Sequence, residues 1–412
     1  MGTYFKAIFL LLIFLIPDAV IAQIEVCANC KVTSIANAIN IADSGDTILI
    51  QSGYYREHEL LIEKPLKLIG VDAPIIDGEK SGSVIRVLSD SVHISGLAIR
   101  NVDVSHTEEF AGIHLYESDH FQVKDNVLEN MFFGILIERS DYGEITGNKI
   151  SGESKEDFNA GNGIHGWYSS HLTISDNYIR DLRDGIYLEF VDHSFISGNR
   201  SIENLRYGLH FMFSNYDDYE DNEFIDNGAG VAVMFSKFIN MRRNTFYKNW
   251  GTASFGLLLK EIYDAEIEDN IFEENTVGIN IEGSTRVNYR RNDLIGNGWA
   301  VKIAGGCYTN IFSENNFSFN SFDLSYNSKI NDNKFEGNYW SAYVGYDLDK
   351  DGIGDTPYRP VKLFSYIANR TPESIVLLRS LFIDILNFSE KVSPVFTPVD
   401  LIDELPKMER IK

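Results

Sequence analysis

Two segments 22 residues apart, Gly208-Leu-His-Phe-Met-Phe-Ser214 and Gly230-Val-Ala-Val-Met-Phe-Ser236, carry side chains that suit a soft metal ion. Thioether sulfur prefers ions such as Cu(I) and imidazole adds a borderline donor. Met212, Met234 and His210 therefore have the chemistry of a copper site, better suited to carriage than to redox catalysis. Methionine also pads surfaces that dock against another part of a chain or a partner, and spacing alone leaves that reading open. The metal chemistry needs the two methionines to be neighbours in space, which a repeating scaffold would guarantee.

The flanking sequence supplies such a scaffold. A Gly recurs at 112, 134, 163, 185, 208, 230, 256 and 278, and an Asn follows each after 14 residues, at 126, 148, 177, 199, 222, 244, 270 and 292. The first and third residues after each Gly are mostly Ile, Leu or Val, as in Ile113 and Leu115 or Ile186 and Leu188. Period-two alternation turns these inward. The residue three before each Asn, from Val123 to Tyr289, lines a second inner wall. Ser recurs six after the Gly, in Ser118, Ser140, Ser169, Ser214, Ser236 and Ser284, where a hydroxyl can hold a turn. Stacked asparagines can satisfy one another between coils. Short intervals of 22 or 23 residues, without the consensus of leucine-rich repeats, predict an all-β fold, a parallel β-helix whose coils pair at ~4.8 Å.

In that register the second and fourth residues after each Gly face solvent, giving His165 and Trp167, Tyr187 and Glu189, His210 and Met212, Ala232 and Met234, Leu258 and Lys260 on successive coils. Met212 then lies between Met234 and Glu189, a charge-balancing neighbour, with His210 two residues away on its own strand. His165, separated from His210 by Tyr187, is a second-tier candidate that either guides an ion or is a polar surface group. Met241 falls at an inward position and belongs to the core. His58, His93, His106, His120, His171 and His193 show no comparable convergence.

Both long intervals, Ser151 to Asn162 and the segment around Trp250-Gly251-Thr252, emerge at one corner beside the strand that begins with Gly. Loops grouped on one edge of a rigid scaffold can build a binding face. Ahead of the repeats, Thr33 to Asp43 has helical spacing with Ser or Thr at its start, which predicts a helix capping the first coil. Short strands are expected at Thr47 to Gln51, Leu60 to Ile62, Leu66 to Ile69 and Val84 to Val87.

Beyond the repeats, Asp347, Asp349, Asp351, Gly352 and Asp355 occupy positions 1, 3, 5, 6 and 9 of a calcium-loop pattern, with Tyr358 at position 12 where Glu is usual. Calcium and a metal-free closing turn are both open readings. Thr371-Pro-Glu-Ser374 starts a helix running toward Ser389, apolar nearly all round but interrupted by Arg379 and Asp384. It is a poor membrane span and needs burial against the last coil, a partner or a membrane surface. Pro394, Pro398 and Pro406 make the remaining tail either an extended docking arm or a disordered end. The expected division is a signal at 1–22, a β-helix at 23–345, an Asp-rich closing loop at 346–360 and a helical and extended tail for docking at 361–412.

Composition narrows the partners. The 412 residues include 36 Lys and Arg against 60 Asp and Glu, a net charge of -24 that repels nucleic acid and anionic lipid and favours cations. Lys6, the apolar run from Ala7 to Pro17 and Val20-Ile21-Ala22 read as an export signal, with an uncleaved anchor as the alternative. Cys27 and Cys30, in Cys-Ala-Asn-Cys, support either a local disulfide or a pair of soft-metal ligands.

With these motifs in place the chain resembles the NosD family, exported copper-maturation proteins for nitrous oxide reductase in denitrification. The resemblance runs over nearly the whole chain after the signal. It is carried by Gly208-Leu-His-Phe-Met-Phe213, Val233-Met-Phe-Ser236, Gly337-Asn-Tyr-Trp-Ser341, the run from Asp347 to Pro360, and Leu401-Ile-Asp-Glu-Leu-Pro-Lys-Met408. It implies a right-handed β-helix in the periplasm, peripheral to the membrane and docked through its C-terminal tail to an ABC permease and its ATPase. It also implies copper supply by a membrane-anchored lipoprotein chaperone, delivery to apo nitrous oxide reductase, and His210, Met212 and Met234 as copper ligands. Cys27 and Cys30 are not part of the family pattern. Two rivals remain: a β-helix polysaccharide lyase or hydrolase, which needs paired carboxylates, and an adaptor whose methionine face binds protein without metal.

Overall fold

The computed structural model describes residues 22–105, 107–153, 155–327, 332–392 and 401–412. The expected export signal, apart from Ala22, lies outside the described residues, as do His106, Pro394 and Pro398. Among the described residues the chain winds as a parallel β-helix of three sheets. The strands of the Gly register make a 12-stranded sheet that ends at Phe322–Tyr326, and the other two sheets have 14 and 13 strands. The Gly-register strands carry the candidate ligands, so their sheet is the candidate functional face.

Close approach at one corner explains the recurring glycine. A Cβ on Gly134 would sit 2.4 Å from the carbonyl oxygen of Gly163, and one on Gly230 would sit 2.3 Å from that of Gly256. The inner walls follow the expected alternation, with Ile113, Leu115, Val123, Ile145 and Met241 all buried. A third wall, missed in the sequence, comes from three-residue strands that start directly after the asparagines and send Leu128, Ile150, Phe224 and Phe246 inward. The serine turns are as expected, with Ser214 Oγ donating to the Met212 carbonyl at 3.0 Å.

The asparagines form a continuous ladder. Asn126 Nδ2 donates to Asn148 Oδ1 at 3.0 Å, and the same contact repeats from coil to coil as far as Asn338. The last amide, Asn338 Nδ2, donates at 3.0 Å to Asp403 of the C-terminal segment. A second ladder, from Asn204 through Asn227, Asn249, Asn275 and Asn297 to Asn320, braces another corner.

Both ends of the solenoid are covered. Helix α1 (Ile35–Ile41) begins where Ser34 Oγ accepts from Asn37 N, and it buries Ile35, Ala38 and Ile39 over the first coil. At the other end residues 401–412 fold back on the last coil, with bridges from Asp403 to Phe335 and from Lys407 to Tyr339. Ile411 N donates to Asn316 Oδ1 at 2.9 Å, and Arg410 pairs with Asp293 at 2.7 Å. This corrects the expectation of a disordered end for those residues: paired backbone and buried Asp403 make them an end cap.

The single helix expected from Thr371 to Ser389 is also corrected. The chain forms α2 (Leu363–Arg370), a 3₁₀ turn at Pro372–Leu377 and α3 (Leu381–Val392). Ser380 accepts backbone hydrogen bonds from Ile383 and Asp384, and its hydroxyl lies 3.4 Å from Ile383 N, so a new helix starts there. Phe364 and Ala368 of α2 and Ile383 of α3 pack on Val277, Trp299 and Phe322 at the edge of the functional face. The opposite side of α3 stays bare, with Leu381 73% and Phe388 67% exposed. No helix among the described residues is long and apolar enough to cross a membrane.

Candidate metal centre

Strands Asp184–Asp192, Tyr207–Met212 and Ala229–Met234 lie side by side in register. Met212 pairs with Met234 on one side and with Glu189 on the other, while Tyr187 stands between His210 and His165. Met212, Met234 and Glu189 are half-buried. A cleft of about 590 Å³ opens beside them, lined by Glu138, His165, Trp167, Glu189, His210 and Met212 among others.

The second residue after each Gly was expected to face solvent, and here the structure differs. His210 is 7% exposed and His165 9%, while Ala232 and Leu258 are buried as well. These side chains do leave the coil outward, but residues from the adjoining corner fold over them. The Tyr207 ring lies 4.8 Å from that of His210, and Phe133 lies 5.4 Å from His165. Asn162, where the acidic insertion returns to the solenoid, brings Nδ2 to 3.3 Å from His165 Nδ1.

His210 is held at one nitrogen only. Its Nδ1 lies 3.2 Å from Arg206 Nη2 and 3.6 Å from Asp184 Oδ2, whereas its buried Nε2 has no hydrogen-bond partner. Asp184 is fully buried, and Arg206 grips it through Nε at 2.9 Å and Nη2 at 2.5 Å. Burial pushes the Asp184 carboxyl up, but the adjoining His210 and the Arg206 guanidinium outweigh it and hold the group below the ordinary carboxylate value. Nearby, Tyr187 donates to Glu189 Oε2 at 3.1 Å, and burial together with the Glu189 charge raises the phenol.

His165 behaves differently. Burial, assisted by the Arg183 charge, pushes its pKa down to about 4, so the ring is neutral over most of the acid range. Because the unfolded chain protonates near the ordinary imidazole value of 6.5 and the folded chain near 4, stability rises with pH across that window and is lost as pH falls through it. Replacing His165 by Gln should flatten the pH dependence of the unfolding free energy between those values by about 3 kcal/mol, measured by denaturant titration at several pH values. An unchanged slope would mean that the ring is not buried as neutral imidazole.

Two other sequence candidates do not join this centre. Cys27 and Cys30 form a disulfide beside the first strand, Gln23–Val26, which settles their open alternatives and corrects their place among the metal ligands, since neither thiolate remains. In the acidic loop, Asp347, Asp349 and Asp351 bring carboxylate oxygens within 4.8 Å of one another. Asp355 instead accepts from Leu348 N at 2.7 Å, and Tyr358 turns into the core at 3.4 Å from Asp323. The loop also bridges to the end cap through Ile353 and Lys407.

Two residues of the centre, Asp184 and Arg206, were missed as its supports. The residue before each Gly is otherwise mostly apolar, as in Ala111, Phe133, Tyr207, Ala229, Phe255 and Val277. An acid in that row was the available signal.

Comparison with known proteins adds independent findings. The sequence profile of a family described as "Periplasmic copper-binding protein (NosD)" matches residues 153–345, a span that includes Glu189, His210, Met212 and Met234. A Pseudomonas aeruginosa protein called "Probable ABC transporter binding protein NosD" is 27% identical, with 89% of each chain covered. Its namesake from Stutzerimonas stutzeri is 24% identical, over 87% of this chain and 86% of the relative. Among solved structures, the Yersinia enterocolitica family 28 exopolygalacturonase superposes with a TM-score of 0.57 at 10% identity, over 76% of this chain and 78% of that one. The Azotobacter vinelandii mannuronan C-5 epimerase AlgE6 A-module gives a TM-score of 0.54 at 12% identity, over 74% and 87%. At such identities the structural likeness shows the β-helix fold alone.

Proposed function

Because the chain belongs to the NosD family, we propose that it is a periplasmic copper carrier, with Met212, Met234 and His210 as ligands for Cu(I) and Glu189 as a charge-balancing neighbour. The observation that carries this reading is the buried, unpartnered Nε2 of His210 beside a pair of registered methionines. A buried polar atom without a partner is costly, and a soft ion held by one imidazole and two thioethers would remove that cost. The fit is therefore chemical as well as topological.

In the same proposal the protein works with an ABC-type permease and its ATPase, receives copper from a lipoprotein chaperone and passes it to apo nitrous oxide reductase. The bare apolar side of α3 supports contact with a membrane-side partner. His165 serves at most as a neutral way station, since the Asn162 amide occupies its Nδ1. Calcium at Asp347, Asp349 and Asp351 is a separate proposal, favoured by their converging oxygens and tested by calcium titration with and without Asp349→Asn.

The reading against glycan chemistry rests on three acidic side chains of the face and its corner that a neighbour engages. Glu138 pairs with His114 at 2.5 Å, Asp184 with Arg206, and Glu189 with Tyr187. Anaerobic Cu(I) titration against a chromophoric chelator tests the proposal, with X-ray absorption reading sulfur and imidazole scattering from the bound ion. Failure to compete with the chelator, or a spectrum without sulfur, would sink it.

A further inference from the structure

The corner beside the functional face repeats one arrangement on successive coils: a polar residue ahead of the Gly, gripped by an arginine from the next coil. Arg183 Nη2 donates to Asn162 Oδ1 at 3.3 Å, and Arg206 donates twice to Asp184. Each unit adjoins one buried histidine. The Asn162 amide nitrogen lies 3.3 Å from His165 Nδ1, and the Asp184 Oδ2 lies 3.6 Å from His210 Nδ1. The chemical difference is amide against carboxylate.

An amide N–H donates to Nδ1 and so leaves the imidazole hydrogen on Nε2, whereas an ionised carboxylate only accepts and favours that hydrogen on Nδ1. A neutral imidazole ligates a metal through the nitrogen without hydrogen, and the hydrogen bond at the other nitrogen decides which one that is. Asn162 therefore keeps His165 Nε2 blocked. Asp184 offers His210 the opposite outcome. Arg206 opposes it, because its Nη2 can only donate and lies 3.2 Å from the same Nδ1. Tyr187 and Tyr207, with ring centroids 5.0 Å and 4.8 Å from that of His210, fix the ring while these two compete.

We infer that Asp184 is the positioning residue that readies His210 as a copper ligand by accepting its Nδ1 hydrogen when Nε2 takes the ion, and that Arg206 holds the unloaded ring in the other tautomer. This rests on the copper reading above. On loading, one hydrogen leaves Nε2 and one arrives at Nδ1, so the imidazole stays neutral and no redox partner is required. Copper uptake is thereby tied to handing His210 Nδ1 from Arg206 to Asp184.

Asp184→Asn tests this, because Asn under an arginine already exists one coil away at Asn162 and the fold is expected to hold, with an unchanged thermal midpoint as the check. In the full chain, Cu(I) affinity by chelator competition should fall about 10- to 100-fold, the range for losing the hydrogen-bond partner of a ligating histidine. Nitrogen-15 NMR of labelled histidine should find His210 as the Nε2–H tautomer before loading and as Nδ1–H with Cu(I). In the variant it should stay Nε2–H throughout. His210→Ala sets the scale of the histidine contribution. If His210→Ala weakens binding and Asp184→Asn does not, the inference is overturned and the copper reading stands. If the unsubstituted protein binds no Cu(I), both fall.

Discussion

Replacing Met212 and Met234 together by leucine is expected to weaken Cu(I) binding about 100- to 1000-fold, or roughly 3–4 kcal/mol at 1.4 kcal/mol per tenfold. Leucine keeps the half-buried apolar volume, and a swap of this kind usually costs less than about 1.5 kcal/mol of stability. The fold should therefore persist while both sulfurs are gone. Each single variant should retain His210 and one thioether, and should lose more than half of the total free energy if the two sulfurs act together. Because leucine pads a surface as well as methionine, a docking face without metal predicts normal partner binding and no copper phenotype for the double variant. Chelator competition decides between them. Unchanged affinity in the leucine pair would remove both methionines from the site, whatever His210 does.

The register that makes this experiment specific was legible in the sequence, because it depends on Gly and Asn counts and not on side-chain chemistry. Eight matched intervals were enough to set Met212 against Met234 and Glu189 and to send Met241 inward. The degree of burial was not legible. His210 occupies an outward position, but Tyr207 and its neighbours close over it, and no alternation rule describes what a corner folds across. Asp184 was half visible, as an acid in an apolar row, yet its partner Arg206 lies 22 residues on, in the next coil. The missed third wall has a different cause: strands of three residues are too short to show alternation. The tail misled for a related reason, since proline-rich composition describes how a segment behaves alone and not what it lies against.

Removing the Asp403 carboxylate is expected to unzip that end. Its oxygens accept from Gly337 N at 3.1 Å, Asn338 N at 3.0 Å, Asn338 Nδ2 at 3.0 Å and Trp340 Nε1 at 3.0 Å, all at a fully buried site. Asp403→Ala leaves these donors without an acceptor, at about 1–3 kcal/mol for each that water cannot reach, so a net loss near 4 kcal/mol is expected once the cap loosens and hydrates. In a solenoid each coil contacts only its neighbours, and the loss should stay local. Hydrogen exchange should speed up across 315–340 and 401–412, with little change around Met212, and Cu(I) affinity should hold. Asp403→Asn keeps one acceptor oxygen and should fall between. Asp403 thus does for the last asparagine what each asparagine does for the one before it. Uniform destabilisation of every coil, or none, would contradict that role.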